Sequence, residues 1–239
     1  FSVYEIHLRP DLRYPPHPAF ARNAGGEPEY LALKPGDLNG IHGLGDFARS
    51  GTRAVDAADY VYQIKRLAHP DLHSPISGLM AEHIAGLKKY AATLQRAQKD
   101  HPDRFLNLHD YALEGAEVVD EHTYRIRVVG KYPQFMYWLA MPFFAPMPLE
   151  AERFYAQPGM RERNITLDWW PVGSGPYYLS ENNPNQRMVL SRNPNFARET
   201  YPGEGEPGDR EAGLLADAGK PLPLIDQVVF TLEKETIPY

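Results

Sequence analysis

Residues 169–196 constrain the fold of this chain more than any other stretch, because two strands and the turn between them can be read from local chemistry alone. Gly173-Ser174-Gly175-Pro176 reads as a kink, with a glycine on either side of Ser174 to free the backbone. Pro176 lacks an N–H, so it can only open a strand or lie on an edge. An aromatic strand over 176–180 follows, then a turn over 181–186 built on Asn182-Asn183-Pro184-Asn185, then an alternating strand over 187–191. Asparagine-rich turn chemistry between two strand-like runs predicts a β-hairpin, closed by Arg192-Asn193-Pro194-Asn195-Phe196.

The rest of the chain is organised around this hairpin. Residues 1–8 alternate Tyr4, Ile6 and Leu8 with Val3, Glu5 and His7, the period of a half-buried strand. From Pro15-Pro16-His17-Pro18 to about Arg53 the chain is irregular and glycine-rich, which predicts a long functional or subfamily-specific insertion. Asp56 is placed to cap a helix, with Asp59 in its first turn and Val61, Ile64, Leu67 and Ala68 on its apolar face. A longer helix is predicted from about residue 78 to 99, with Met80, Ile84, Leu87, Ala91 and Leu94 as its packed stripe. Strands are expected over 116–119 and 123–129, short helices over 133–140 and 148–155, and a last strand over 224–232. Residues 201–223 are rich in Gly, Pro and acid, with one helical turn expected near 211–216. The change from helices to strands puts a boundary near 106–115: a loop- and helix-rich subdomain over 1–110, and a sheet-bearing part over 111–239.

Composition narrows the function. A net charge of −6 and no basic cluster argue against a nucleic-acid surface. With no cysteine there is no disulfide, thiolate metal site or cysteine nucleophile. No apolar run is long enough to span a bilayer. Neither end carries a cap or a polar tail, so an internal piece of a longer protein is expected.

The hairpin, with its closing Asn-Pro-Asn-Phe, resembles the signature hairpin of the peptide/nickel-type extracellular solute-binding proteins that serve ABC importers, solute-binding family 5. That family usually carries Gly-Thr-Gly-Pro-Tyr where this chain has Gly173-Ser174-Gly175-Pro176-Tyr177. Val55-Asp56-Ala57-Ala58-Asp59-Tyr60-Val61-Tyr62-Gln63-Ile64-Lys65-Arg66-Leu67-Ala68 is similar to the family's Val-Thr-Ala-Glu-Asp-Val-x-Tyr-Ser-x-Lys-Arg-Leu-Ala helix. The strand-turn-strand from Glu117 to Ile126, Tyr132-Pro133-Gln134-Phe135 and Ala145-Pro146-Met147-Pro148 follow in family order. The resemblance implies a mixed α+β fold: part of one lobe of a type II periplasmic-binding-protein clamshell, with a mixed sheet and a small helical subdomain. It implies an extracytoplasmic parent with a second lobe, which closes on a small solute, an oligopeptide first among the candidates, and delivers it to permease subunits. It implies no cofactor, no metal and no catalysis.

Ligand contacts are expected from Ile76 and Leu79, in the loop similar to the family's ligand loop, where relatives carry an aromatic residue in place of Ile76. Trp138 and Phe143 are candidates from the aromatic cluster, although core packing is the commoner role of such clusters. Trp169, Trp170 and Ser174 are candidates beside the kink. A Ser- or metal-dependent hydrolase is the competing reading. It needs a base beside Ser174, which lacks the spacing of a nucleophile elbow, or three convergent ligands among nine histidines. His69 and His73 cannot share a helical face across Pro70, and Glu82-His83 lacks the second histidine of a zinc motif.

Overall fold

A computed structural model describes residues 1–196 and 199–232. Among the described residues five α-helices and six strands form two compact units, each assembled from two segments of chain. The first unit comprises Phe1–Pro10 and Ala54–Gln157; the second comprises Asp11–Arg53 and the described residues from Pro158 on. The contacts therefore part elsewhere than the composition shift at 106–115. Helices before that shift and strands after it belong to one unit, because the opening strand pairs with a strand more than a hundred residues away.

In the first unit β1 (Ser2–His7), β3 (Thr123–Val128) and β2 (Ala116–Asp120) form an antiparallel sheet in the order β1-β3-β2. Register sets Tyr4 opposite Ile126 and Glu5 opposite Arg125, so one face is apolar and the other carries a row of charge. Arg125 Nε lies 2.5 Å from Glu5 and its Nη1 3.7 Å from Glu117, solvated pairs that fix little beyond side-chain direction. Helix α1 (Ala57–Arg66) packs on β2 and β3. Its first turn is a capping box: Asp56 accepts from the Asp59 N–H at 3.1 Å, and Asp59 accepts from that of Asp56 at 3.2 Å. Val61, Ile64, Leu67 and Ala68 are all buried, as their spacing predicts.

The long helix expected over 78–99 is two helices, α2 (Ser77–His83) and α3 (Leu87–Asp100). The break has a tertiary cause. Ile84 turns extended to bridge Val128, the Ala85 N–H donates to the Arg127 carbonyl, and Gly86 takes φ +74°. A left-handed residue is cheap only for glycine, so the apolar stripe continues while the backbone does not. The short helices α4 (Phe135–Leu139) and α5 (Leu149–Tyr155) fall inside their expected spans.

The second unit contains the hairpin. Strands β4 (Tyr177–Asn183), β5 (Arg187–Arg192) and β6 (Gln227–Thr231) form an antiparallel sheet in that order. Strand β4 runs three residues into the expected turn. A bulge at Ser180 shifts the register, after which Glu181, Asn182 and Asn183 pair with Val189, Met188 and Arg187. Glu181 chelates the Arg187 guanidinium across the strands at 3.1 and 2.6 Å, which holds the added pairs in register. Every pairing among the described strands is antiparallel; the parallel component of the expected mixed sheet does not occur there. The fold is mixed α+β, as expected. The helical turn expected near 211–216 is instead a run of turns.

Candidate functional site

The first part of the irregular insertion packs into a wall. Tyr14, fully buried, stacks on Phe20 at 5.2 Å, and the Arg53 guanidinium sits 5.3 Å from the Tyr14 ring centre and 5.5 Å from that of Phe20. His17 and Gly51 exchange both backbone hydrogen bonds, at 2.8 and 3.1 Å, and close the loop between them.

The closing residues of the hairpin lock onto this wall. Asn193, 2% exposed, donates from Nδ2 to the Gly175 carbonyl at 2.9 Å, and its N–H reaches the Pro176 carbonyl at 2.8 Å. Its Oδ1 accepts from the Asn195 N–H at 2.9 Å, and Asn195 Nδ2 donates to the Tyr14 carbonyl at 2.9 Å. The Asn-Pro-Asn signature is thus a polar clasp, in which each amide satisfies backbone groups that a hydrocarbon could not. The kink does not use the freedom of its glycines. Neither Gly173 nor Gly175 takes a positive φ, and a methyl group added to either would meet nothing within 4 Å.

Between this wall and β4 lies a cavity of about 290 Å³. The proline run with His17, the turn carrying Leu44, Gly45 and Phe47, and the edge of β4 at Tyr178, Leu179 and Ser180 form three of its sides; Pro171 and Val172 contribute from beside the kink. None of the lining side chains is an acid, lysine or arginine. His17, 5% exposed, accepts the Ala19 N–H on Nδ1 at 3.0 Å, so its ring proton resides on Nε2. Burial alone pushes its pKa down from 6.5 to about 3.

That depression makes stability depend on pH with a definite sign. The unfolded state takes up a proton near pH 6.5 and the folded state does not, so the contribution is complete above that value. It is lost as pH falls from 6.5 toward 3. Between pH 7.5 and 5.0 the second unit is expected to lose about 2 kcal/mol through this group. In His17→Asn, which keeps an acceptor for Ala19, that increment should vanish. Equal pH slopes in urea unfolding of the two proteins would show that the imidazole is hydrated.

The seven residues singled out from the sequence are divided between the two units. Ile76 is 7% exposed at the start of α2, so it packs, whereas Leu79 one turn on is exposed. Trp138 is half-buried and donates from Nε1 to the Tyr132 hydroxyl at 2.8 Å; Phe143, also half-buried, has its carbonyl held by Gln63 Nε2 at 2.8 Å. Trp170 is 8% exposed, donates to the Asn164 carbonyl at 3.2 Å, and lies against Gly43. Trp169 is half-buried and its carbonyl accepts from Asn182 Nδ2 at 2.6 Å; Ser174 is half-buried. Trp169, Trp170 and Ser174 thus flank the stretches that line the cavity without lining it themselves. The proline run and Leu44–Phe47 were missed as site residues; the cluster Pro15-Pro16-His17-Pro18 was the available signal. Of the histidines weighed as ligands, His83 stacks on Tyr132 with ring centres 3.9 Å apart, and His69 Nδ1 accepts the Asp71 N–H at 3.2 Å. Among the described residues no three of His, Asp and Glu are grouped to hold a metal ion, and no helix is long and apolar enough to cross a membrane.

Residues 50–236 match the family model of the bacterial extracellular solute-binding proteins, family 5 Middle. The chain belongs to this family. Helix α1 and the whole hairpin lie inside the match, as do Asn193 and Asn195 of the clasp and its partner Thr52, whereas Tyr14 precedes it. Among curated relatives, the periplasmic oligopeptide-binding protein OppA of Salmonella typhimurium is 29% identical over 143 residues, covering 59% of this chain and 23% of the relative. The periplasmic murein peptide-binding protein MppA of Escherichia coli is 28% identical over 145 residues, with coverage of 59% and 23%. The chain thus spans about a quarter of the length of the curated relatives it matches. Among solved structures, an OppA of Haemophilus influenzae in complex with RPPGFSPFR aligns with 82% of this chain and 28% of its own, at a TM-score of 0.49 and 17% identity.

Proposed function

We propose that this chain is part of an extracytoplasmic substrate-binding protein of an ABC importer, whose parent captures a small solute, preferentially an oligopeptide, and presents it to permease subunits. The family match over residues 50–236 carries this reading. The names of the relatives, oligopeptide-binding and murein peptide-binding, support the peptide as solute and the periplasm as location. In this reading a second lobe of the same parent closes over the solute, and the closed state is favoured by its greater affinity for ligand. Leu79, Trp138, Phe143, Trp169 and Ser174 are the proposed contacts from this part of the protein; Ile76 and Trp170 are buried, and in this reading they pack. Binding without bond-making requires no cofactor and no nucleophile, and this separates the reading from a hydrolase.

The test is a thermal shift of the full parent chain against a pool of tri- to pentapeptides, with mass spectrometry of what is retained. Intact peptides at a hundred times their dissociation constant should stabilise it by about 2.7 kcal/mol. Absence of any shift, or release of shortened peptides that persists until Ser174→Ala is introduced, would overturn it.

A further inference from the structure

The cavity in the second unit lacks an assigned occupant, and its walls are unusually specific about charge. We propose that it is a binding site for an uncharged aromatic group of a small molecule, held between the insertion and the edge of β4. This goes beyond the proposed solute capture and does not depend on it. At about 290 Å³ the cavity is at the small end of ligand pockets, with room for one ring and the amide beside it. Phe47, Tyr178 and the proline rings offer flat apolar faces. The imidazole in the wall stays neutral and no acid, lysine or arginine lines the cavity, so a charged group would find no opposite charge to meet it there.

Two further features favour a ligand. The wall is braced before anything binds, by the stacked Tyr14, Phe20 and Arg53, by the His17–Gly51 pair, and by the Asn195 amide on the Tyr14 carbonyl. A braced wall loses little entropy on binding. Among the described residues strand β4 is also the edge of its sheet, and its bulge residue, Ser180, belongs to the cavity lining. Edge strands direct alternate backbone N–H and C=O groups away from the sheet, the pattern that receives an amide-bearing ligand.

The probe is N-acetyl-L-phenylalaninamide, titrated into the 239-residue chain and followed by amide NMR. Saturable shifts are expected at Gly45, Tyr178, Leu179 and Ser180, with a dissociation constant on the order of 1 mM. N-acetyl-L-lysinamide and the amide of N-acetyl-L-glutamate should bind at least tenfold more weakly. Gly45→Leu and Ser50→Phe should each abolish the shifts. Both positions are exposed, and a methyl group built on Gly45 meets nothing within 4 Å, so both variants should keep the dispersed spectrum of the parent. Non-saturable shifts, an equal response to the charged probes, or binding retained in both folded variants would each overturn the assignment. The wild-type comparison of probes decides alone if a variant does not fold.

Discussion

Glu152→Ala is expected to destabilise the first unit by about 3–5 kcal/mol, because it strands a mostly buried guanidinium. Glu152 on α5 accepts from Arg66 Nε at 2.7 Å and from the Tyr62 hydroxyl, both on α1. Side-chain exposure is only 11% at Arg66 and 14% at Glu152, so water screens this pair far less than the exposed row on the sheet. With Glu152 gone, the guanidinium keeps one neutral partner, Gln63 Oε1, at 3.0 Å. Gln63 meanwhile holds the Phe143 carbonyl, so disturbance spreads along the segment that precedes α5. The Tyr62 phenol has its pKa raised, first by burial and then by the carboxylate beside it; it therefore remains a donor across the accessible pH range. Glu152→Gln preserves an acceptor while removing the charge, and should cost less, about 1–3 kcal/mol. Urea unfolding read through amide exchange in α1 and β3 measures both. A loss under about 1 kcal/mol for the alanine variant would mean that the network is solvated and contributes as a surface pair does.

Gly51→Ala should be comparably severe in the second unit. A methyl group there would stand 2.1 Å from the Phe20 carbonyl oxygen and 2.6 Å from its carbon. Both obstacles are backbone, so no rotamer change relieves them. The strand-like exchange between His17 and Gly51 must open, at a cost on the order of 3 kcal/mol or more. Amide exchange at His17 and Ala21 should accelerate at least a hundredfold, while α1 and β3 hold their rates. The comparison is with Gly173→Ala and Gly175→Ala, where the added methyl meets open space; these should change stability by no more than about 1 kcal/mol, with either sign. Unchanged exchange in Gly51→Ala would show that the insertion relaxes freely and that the cavity wall is not braced. The kink glycines drew attention in the sequence, yet an unremarked glycine carries the constraint.

Elements were legible wherever a pattern is local. The cap at Asp56, the alternation of β1, and the apolar face of α1 each need only neighbours within one or two turns, and the structure has all three. The hairpin was legible for the same reason, though its length was not. The bulge at Ser180 and the Glu181–Arg187 chelate depend on how the two strands face each other, which the turn residues alone leave open. The clasp was visible as Asn-Pro-Asn-Phe, while its partners at Tyr14 and Thr52 lie far away in the chain.

What the amino-acid order determined by itself is therefore most of the helices and strands, much of the turn chemistry and, through motifs in sequence, the family. Periodicity, capping and turn preference are short-range physics, and short-range physics is written in adjacent residues. The tertiary structure alone decided where the units divide, why the stripe from Met80 to Leu94 is carried by two helices, and that an irregular insertion encloses a neutral cavity against β4. Each of those turns on pairing between distant backbone groups, Ile84 with Val128 or His17 with Gly51. A backbone N–H and C=O are the same at every residue, so their choice of distant partner leaves no local mark.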